Sequence, residues 1–139
     1  MKDLKLVHIF DNYEYIEYIR ITRNTYREYF IQQETISEET HKIHMDKNKW
    51  NYRVCVIDDL PIGFIGCVDG DIRLAVDEKF RNRNIGKFML LGFMLEFPRS
   101  TAKVKLDNIG SQRLFESCGF IENNRDEELI YYVYRKNQC

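Results

Sequence analysis

The sequence predicts a single mixed α/β domain over residues 1–139, a largely antiparallel sheet with helices on both faces. Three observations carry that prediction. Strand-like and helix-like segments follow one another as β-α-α-β-β-β-α-β-α-β-β, with no repeat, linker or low-complexity tract between them. Asp69-Gly70, a pair that accepts positive φ, sits between two apolar runs and marks a tight antiparallel hairpin. Residues 85–97 are apolar at almost every position, long enough for a buried helix, and Pro98 stops them.

Taken in order, residues 4–10 (LKLVHIF) form the first strand. Asp11-Asn12 offers a cap. Residues 13–27 then place apolar side chains at 15, 16, 19 and 26 with charges between them, an amphipathic helix. Ser37-Glu38-Glu39 opens a second helix running to about Lys47, with acids in its first turn where the helix dipole favours them. Residues 52–58 (YRVCVID) form a strand, Asp59-Leu60-Pro61 turns the chain, and residues 62–68 (IGFIGCV) pair with Asp71–Val76 across Asp69-Gly70. Beyond the apolar helix, residues 102–106 (AKVKL) are a strand and residues 111–118 a short helix that Gly119 ends. Phe120-Ile121 and residues 129–135 close the sheet as a hairpin around the polar loop 122–128.

Composition excludes several function classes. Hydrophobic residues at 44% and charged residues at 31% describe a globular chain rather than a disordered one. A formal net charge of -1 argues against a nucleic-acid partner, so any basic site must be local. The opening residues scatter charge without an apolar core, unlike a signal peptide, and the longest apolar stretch is too short to span a bilayer. The expectation is a cytoplasmic protein with no membrane partner. Cys55, Cys67, Cys118 and Cys139 are widely spaced and read as reduced thiols. His41 and His44, one helical turn apart, lack an evident third ligand, so no metal site is expected.

Residues 72–97 concentrate the chemistry. A short strand leads into a polar turn carrying Lys79, Arg81, Arg83 and Lys87, and the turn leads into the apolar helix. That order builds an anion site, because the first N–H groups of a helix lack partners and its dipole favours negative charge there. Gly86 lets a ligand approach the backbone closely.

The run from Phe80 to Lys87 (FRNRNIGK) resembles the acyl-CoA signature of the GNAT family of N-acetyltransferases: Arg or Gln, two variable residues, Gly, one variable residue, then Gly or Ala. Arg81 and Gly86 match its ends. Asn84 stands at the middle glycine, and asparagine is among the few residues that visit positive φ. A second signature follows one helix and one strand later, with Asn108, Ser111, Leu114, Phe115, Gly119 and Phe120 on matching positions. Residues 19–27 and 36–41 are similar to segments of small-molecule GNAT enzymes, among them those that acetylate nucleotide-linked amino sugars.

The resemblance implies acetyl-CoA as acyl donor, bound where strands Asp71–Val76 and 102–106 splay apart, and a small-molecule primary amine as acceptor. Backbone groups of Leu74, Ala75 and Val76 would hold the pantetheine arm. The N–H groups of Arg81, Asn82, Arg83, Asn84, Ile85, Gly86 and Lys87 would receive the pyrophosphate. Asn108 would bond the cofactor or bridge the splayed strands, with a helix cap as the other reading. Asp71 is the first candidate base and a hairpin aspartate the competing reading; Asp69 reads first as a turn residue. Arg23, Asn24 and Arg27 would border the acceptor pocket, against a solvated helix face. Phe115, counted among the cofactor-binding residues, occupies the place where the family often has an acidic tyrosine. Tyr131, Tyr132 and Tyr134 are substitutes for that acid or simply packing residues.

Two rival functions stay open from sequence alone. One is a protein N-terminal acetyltransferase. The other is a non-catalytic acyl-CoA-binding domain, suggested by Phe115 and Asn84. The chain is expected to be a monomer, or a homodimer paired through the apolar strand 129–134.

Overall fold

Two tight turns, each built from residues that tolerate a left-handed backbone, fold the middle of the chain into a meander. A computed structural model describes residues 3–138. In it Asp69 and Gly70 take φ of 53° and 85°, as the hairpin signal requires, and join β3 (Leu60–Val68) to β4 (Asp71–Val76). The turn before β3 differs from expectation. Asp58 and Asp59, with φ of 49° and 66°, make the reversal after β2 (Tyr52–Ile57), and Leu60-Pro61 belong to the strand. Pro61 sits where the register shifts between Cys55 and Val56, a place that spares it a ladder hydrogen bond.

β1 (Leu4–His8) pairs antiparallel with β2, giving a first sheet in the order β1-β2-β3-β4. β1 stops at His8 because Phe10 turns to φ 48° and Asn12 N–H bonds Ile9 O. The second sheet has the order β5-β7-β6, from β5 (Ala102–Lys105), β6 (Phe120–Arg125) and β7 (Leu129–Tyr134). All strand pairs within both sheets are antiparallel among the described residues. The sheets meet at one parallel bridge, Asp71 with Thr101, through Ile72 N–H to Thr101 O and Thr101 N–H to Gly70 O, both 2.8 Å. Beyond that bridge β4 and β5 part.

The final hairpin corrects the sequence reading. β6 continues through the polar residues to Arg125, as an edge strand whose last four residues are all exposed, with a register shift at Glu122/Asn124. The loop is shorter than expected because the Asp126 carboxylate accepts the N–H groups of Glu128 and Leu129 at 2.8 Å each. β7 lies between β5 and β6, so both its edges are occupied. The idea that this strand pairs across a dimer is therefore wrong.

Helices cover both faces of the first sheet. α1 (Tyr13–Thr25) and α2 (Glu38–Asn48) bury Ile19 and Met45 against Tyr52, Val54, Val56 and Phe64. α3 (Ile85–Glu96) packs Met89, Leu90 and Phe93 on the opposite face, against Cys55, Ile62 and Ile65. The alternation along β2, in which Tyr52 and Val54 face one core and Cys55 the other, is what a strand between two helical layers requires. Gly66 allows this closeness, since a Cβ there would lie 2.4 Å from the Tyr52 ring. α4 (Ile109–Ser117) starts earlier than expected, because Asn108 Oδ1 accepts the Ser111 N–H at 3.1 Å and caps it. α1 ends at Thr25 and passes into a short 3-10 turn, Arg27–Tyr29.

His41 and His44 point inward and are spent on protein partners: Ile16 O and the Tyr52 hydroxyl, each 2.9 Å away. Cys55, Cys67 and Cys118 are buried free thiols, and Cys139 lies outside the described residues. Among the described residues no helix is long and apolar enough to cross a membrane.

Candidate active site

The parting of β4 from β5 opens two adjoining spaces. A larger cleft of about 810 Å³ runs between β4, the turn before α3 and the start of α4. A smaller cavity of about 280 Å³ lies toward α1, roofed by residues 29–32. Tyr29, Phe30, Leu74, Asn108 and Ser111 line both, and so mark where the two spaces meet.

The larger cleft is built to hold an anion and an extended chain. Ile72 N–H faces away from β3 to reach Thr101, so by strand alternation the N–H and C=O of Leu74 also face the gap. No strand occupies that side of β4 beyond the bridge among the described residues. At the far end the chain turns into α3 through Asn82 and Asn84, with φ of 63° and 61°. Asn84 thus adopts the left-handed conformation that a glycine would supply. The first intrahelical bond is Phe88 N–H to Asn84 O at 3.0 Å, which leaves the N–H groups of Ile85, Gly86 and Lys87 without helical partners. α1, α2 and α4 each carry a side-chain cap, from Asn12, Ser37 and Asn108; α3 carries none. An uncapped, positively polarised helix end facing a cleft is chemically suited to a phosphate.

The sequence-derived cofactor residues largely converge here. Leu74, Ala75, Val76, Arg81, Asn82, Asn84, Ile85, Gly86, Lys87 and Asn108 all line the larger cleft. Arg83 lines neither space and lies over the Phe80 ring at 5.6 Å. Arg81 is partly committed to the protein: its Nε donates to Val76 O at 3.1 Å, and its guanidinium covers Tyr26 at 4.5 Å. The Tyr26 hydroxyl in turn accepts the Glu78 N–H at 2.9 Å, so this cluster ties the end of α1 to the basic turn. Gly86 has a packing reason as well, since a Cβ there would lie 3.1 Å from Leu114 on α4.

The smaller cavity receives Asp71, Phe115 and Arg23. Asp71 sits at the joined end of the two sheets. Its carboxylate accepts from the Thr101 hydroxyl at 2.8 Å and pairs with Lys103 Nζ at 2.9 Å. Phe115 is buried against Phe120 and Tyr132 and offers no proton. The candidate substitutes lie elsewhere. The Tyr131 and Tyr132 hydroxyls donate to Asp126 and Glu116 at 2.7 Å, and both phenols titrate above their ordinary value: Tyr131 chiefly through its bond to Asp126, Tyr132 chiefly through burial. Tyr134 packs on Phe120.

Of the three acceptor-side candidates on and after α1, only Arg23 reaches the cavity. Asn24 instead clasps the backbone of Ile36, donating to its O at 3.0 Å and accepting its N–H at 2.7 Å. That clasp fixes the loop that roofs the cavity. Arg27 is exposed on the 3-10 turn and lines neither space. Arg73, Lys103 and Lys105 also line the cavity, and sequence reasoning missed them. Their signal was the alternation of cations with apolar residues in strands expected to be covered on both faces.

Comparison with known proteins agrees with this geometry. A comparison with curated protein sequences found no match. Solved structures do resemble the chain. Spermidine N-acetyltransferase from Vibrio cholerae, in complex with CoA and spermine, is 14% identical, with 99% of this chain and 98% of that chain covered and a TM-score of 0.71. An N-acetyltransferase from Staphylococcus aureus Mu50 is 14% identical, with 96% and 97% covered and a TM-score of 0.75. A chain of the NatC complex bound to Gag peptide and CoA is 17% identical, with 96% and 98% covered and a TM-score of 0.76. At such identities the likeness is one of fold. The profile of the acetyltransferase (GNAT) family matches residues 12–120, from the cap of α1 to the first residue of β6. Because that match takes in both walls of the parted strands and the uncapped helix between them, the chain belongs to the GNAT acetyltransferase family.

Proposed function

We propose that the chain is an acetyl-CoA-dependent N-acetyltransferase that acts on the primary amine of a small molecule by direct attack on the thioester. Nucleotide-linked amino sugars, the acceptors of the enzymes that residues 19–27 and 36–41 are similar to, are one class to test. The observation that carries this reading is the pair of spaces meeting at Leu74. One is fitted with free backbone donors and the other is a cavity of about 280 Å³, near the low end of small-molecule pockets. The roof formed by residues 29–32, anchored through Asn24, favours a small amine over a peptide that must lie in an open groove. Buried free thiols at Cys55, Cys67 and Cys118 suit a reducing, cytoplasmic setting.

Acetyl-CoA supplies an acyl group already activated as a thioester. The N–H groups of Ile85, Gly86 and Lys87 receive the pyrophosphate, and the outward C=O of Leu74 holds the arm as an added strand would. The Leu74 N–H is also the donor we assign to the carbonyl oxygen, where charge develops during attack. Asp71, oriented by Thr101 and Lys103, takes the proton that the amine must lose, directly or through water. The leaving thiolate departs without a dedicated acid. A thiol pKa of about 8.5 makes it a tolerable leaving group.

Calorimetric titration with acetyl-CoA, CoA and ATP tests the reading. Acetyl-CoA and CoA should bind and ATP should bind at least about tenfold more weakly, a gap of about 1.4 kcal/mol. Gly86→Glu, which presses on Leu114 and sets a carboxylate at the helix end, should abolish binding while the far-ultraviolet spectrum stays that of the parent. Absent binding of acetyl-CoA by the parent chain would refute the assignment.

A further inference from the structure

The cavity beside the parted strands carries far more positive charge than a neutral amine acceptor needs. Arg23 from α1, Arg73 from β4 and Lys103 and Lys105 from β5 all line it. Asp71 is the sole carboxylate in its lining, and that carboxylate is already paired with Lys103. The whole chain has a formal net charge of -1, so this concentration is local.

Arg23 is the most telling member. It is 7% exposed. One of its terminal nitrogens donates to Gln32 O, and its plane covers Phe30 at 4.3 Å. Its Nη1 is buried with no hydrogen-bond partner. A buried guanidinium N–H left unmade is costly, and the cost is removed when an acceptor enters. Neither Arg23 nor Arg73 is in an ion pair among the described residues. Their charges also act on each other and their surroundings. Burial first, and Arg73 next, hold the Arg23 guanidinium below its ordinary pKa, and both arginines help keep His44 neutral. Four cations against the single carboxylate of Asp71 in a partly buried cavity describe a site for anionic oxygens.

Resting on the reading that the acceptor amine enters this cavity, we propose that the acceptor carries an anionic group, a phosphate or a carboxylate, received by Arg23, Arg73 and Lys105. Arg23 supplies its free Nη1 from the α1 side and Arg73 supplies a guanidinium from the β4 side. Lys105, whose Nζ donates to Glu28 O at 3.0 Å, adds charge from β5 while tied to the 3-10 turn that leads into the roof. Lys103 stays with Asp71, so the base and the anion clamp use different cations. These side chains alternate with core residues such as Ile72 and Val104, so they face α1, away from the helix end assigned to the pyrophosphate.

The test uses the full chain saturated with CoA, so that phosphate-like probes compete for nothing at the α3 end. Calorimetry then compares phosphoethanolamine, β-alanine and ethanolamine, which share a primary amine and differ in the anionic group. At least one anionic probe should bind about tenfold or more tighter than ethanolamine, and the ranking of the two separates a phosphate site from a carboxylate site. Arg73→Gln and Arg23→Gln should each cut that preference by about tenfold, the scale of a lost charge-assisted hydrogen bond, with ethanolamine binding and CoA affinity unchanged. Arg73 is half-buried on a strand, so its variant keeps the test alive should the Arg23 variant loosen the roof. Equal affinity for all three probes overturns the proposal. So does no measurable binding of any of them, or a preference that survives both substitutions. A parent chain that fails to bind CoA overturns instead the acetyl-transfer reading on which the proposal rests.

Discussion

Replacing His44 with glutamine should remove a defined share of the protein's sensitivity to acid. His44 sits on the inner side of α2, with Nε2 2.9 Å from the Tyr52 hydroxyl and its ring edge-on to Tyr52 at 5.8 Å. Burial is the main force on its protonation. The charges of Arg73, His41 and Arg23 push the same way, and Asp69 opposes them weakly. Together they bring the imidazole from 6.5 to about 4. A base whose pKa is lower folded than unfolded takes up its proton more readily in the unfolded chain. Its contribution to stability is therefore complete above 6.5 and is lost as pH falls from there toward about 4. At about 1.36 kcal/mol per pH unit the full contribution is about 3 kcal/mol, of which about 2 kcal/mol is gone by about pH 5. For a chain of this size that is a drop in Tm of about 6 °C. Urea unfolding of parent and His44→Gln at about pH 7.5 and about pH 5 measures the difference. The parent should lose about 2 kcal/mol more than the variant over that interval. Carboxylates distant from His44 are present in both proteins and cancel, whereas His41, its ring 6.3 Å from that of His44 and its pKa lowered chiefly by burial, contributes an acid loss of its own to both proteins. Equal losses, within about 0.5 kcal/mol, would refute the account of His44 as a buried neutral group.

Three further outcomes follow from the geometry. Asp71→Asn keeps the Thr101 contact but not the proton acceptor, so kcat should fall by about 10²- to 10⁴-fold with acetyl-CoA affinity unchanged. An unaltered pH–rate profile would remove Asp71 as base. Phe115→Tyr sets a hydroxyl on the cavity wall and should change kcat by less than about threefold if the thiolate leaves unaided, whereas a gain of about 10²-fold would show that its protonation is limiting. Gly66→Ala puts a methyl 2.4 Å from the Tyr52 ring and should cost about 1–3 kcal/mol by urea unfolding; a neutral result would mean that Tyr52 moves freely.

Much of the fold was legible because its signals are local. Asp69-Gly70 fixes a turn through its own backbone preferences, Ser37 and the acids after it open α2, and the apolar run of α3 needs a core whatever surrounds it. The errors fall where tertiary context decides. Leu60-Pro61 looked like a turn until the paired aspartates supplied one, and Glu122–Arg125 looked like loop because edge strands keep polar residues. The larger cleft was legible for the same reason as the fold, since turn, helix start and glycine lie together in sequence. The smaller cavity was not. Arg23, Arg73 and Lys105 come from three elements far apart in the chain, and only the parting of β4 from β5 brings them to one cavity. Asn24 shows the converse, a polar side chain near the site whose hydrogen bonds go to the Ile36 backbone rather than to a ligand.

The division of labour across the parted strands has a consequence for how such a protein changes over generations. Under the proposed reading the cofactor side works through main-chain groups, the N–H and C=O of Leu74 and the N–H groups of Ile85 and Gly86, which persist through substitutions that leave both the backbone and the cleft in place. On the acceptor side the working groups are side chains, each replaceable by a single codon change. On that reading a substitution can alter which acceptor the cavity takes without touching the groups assigned to the donor.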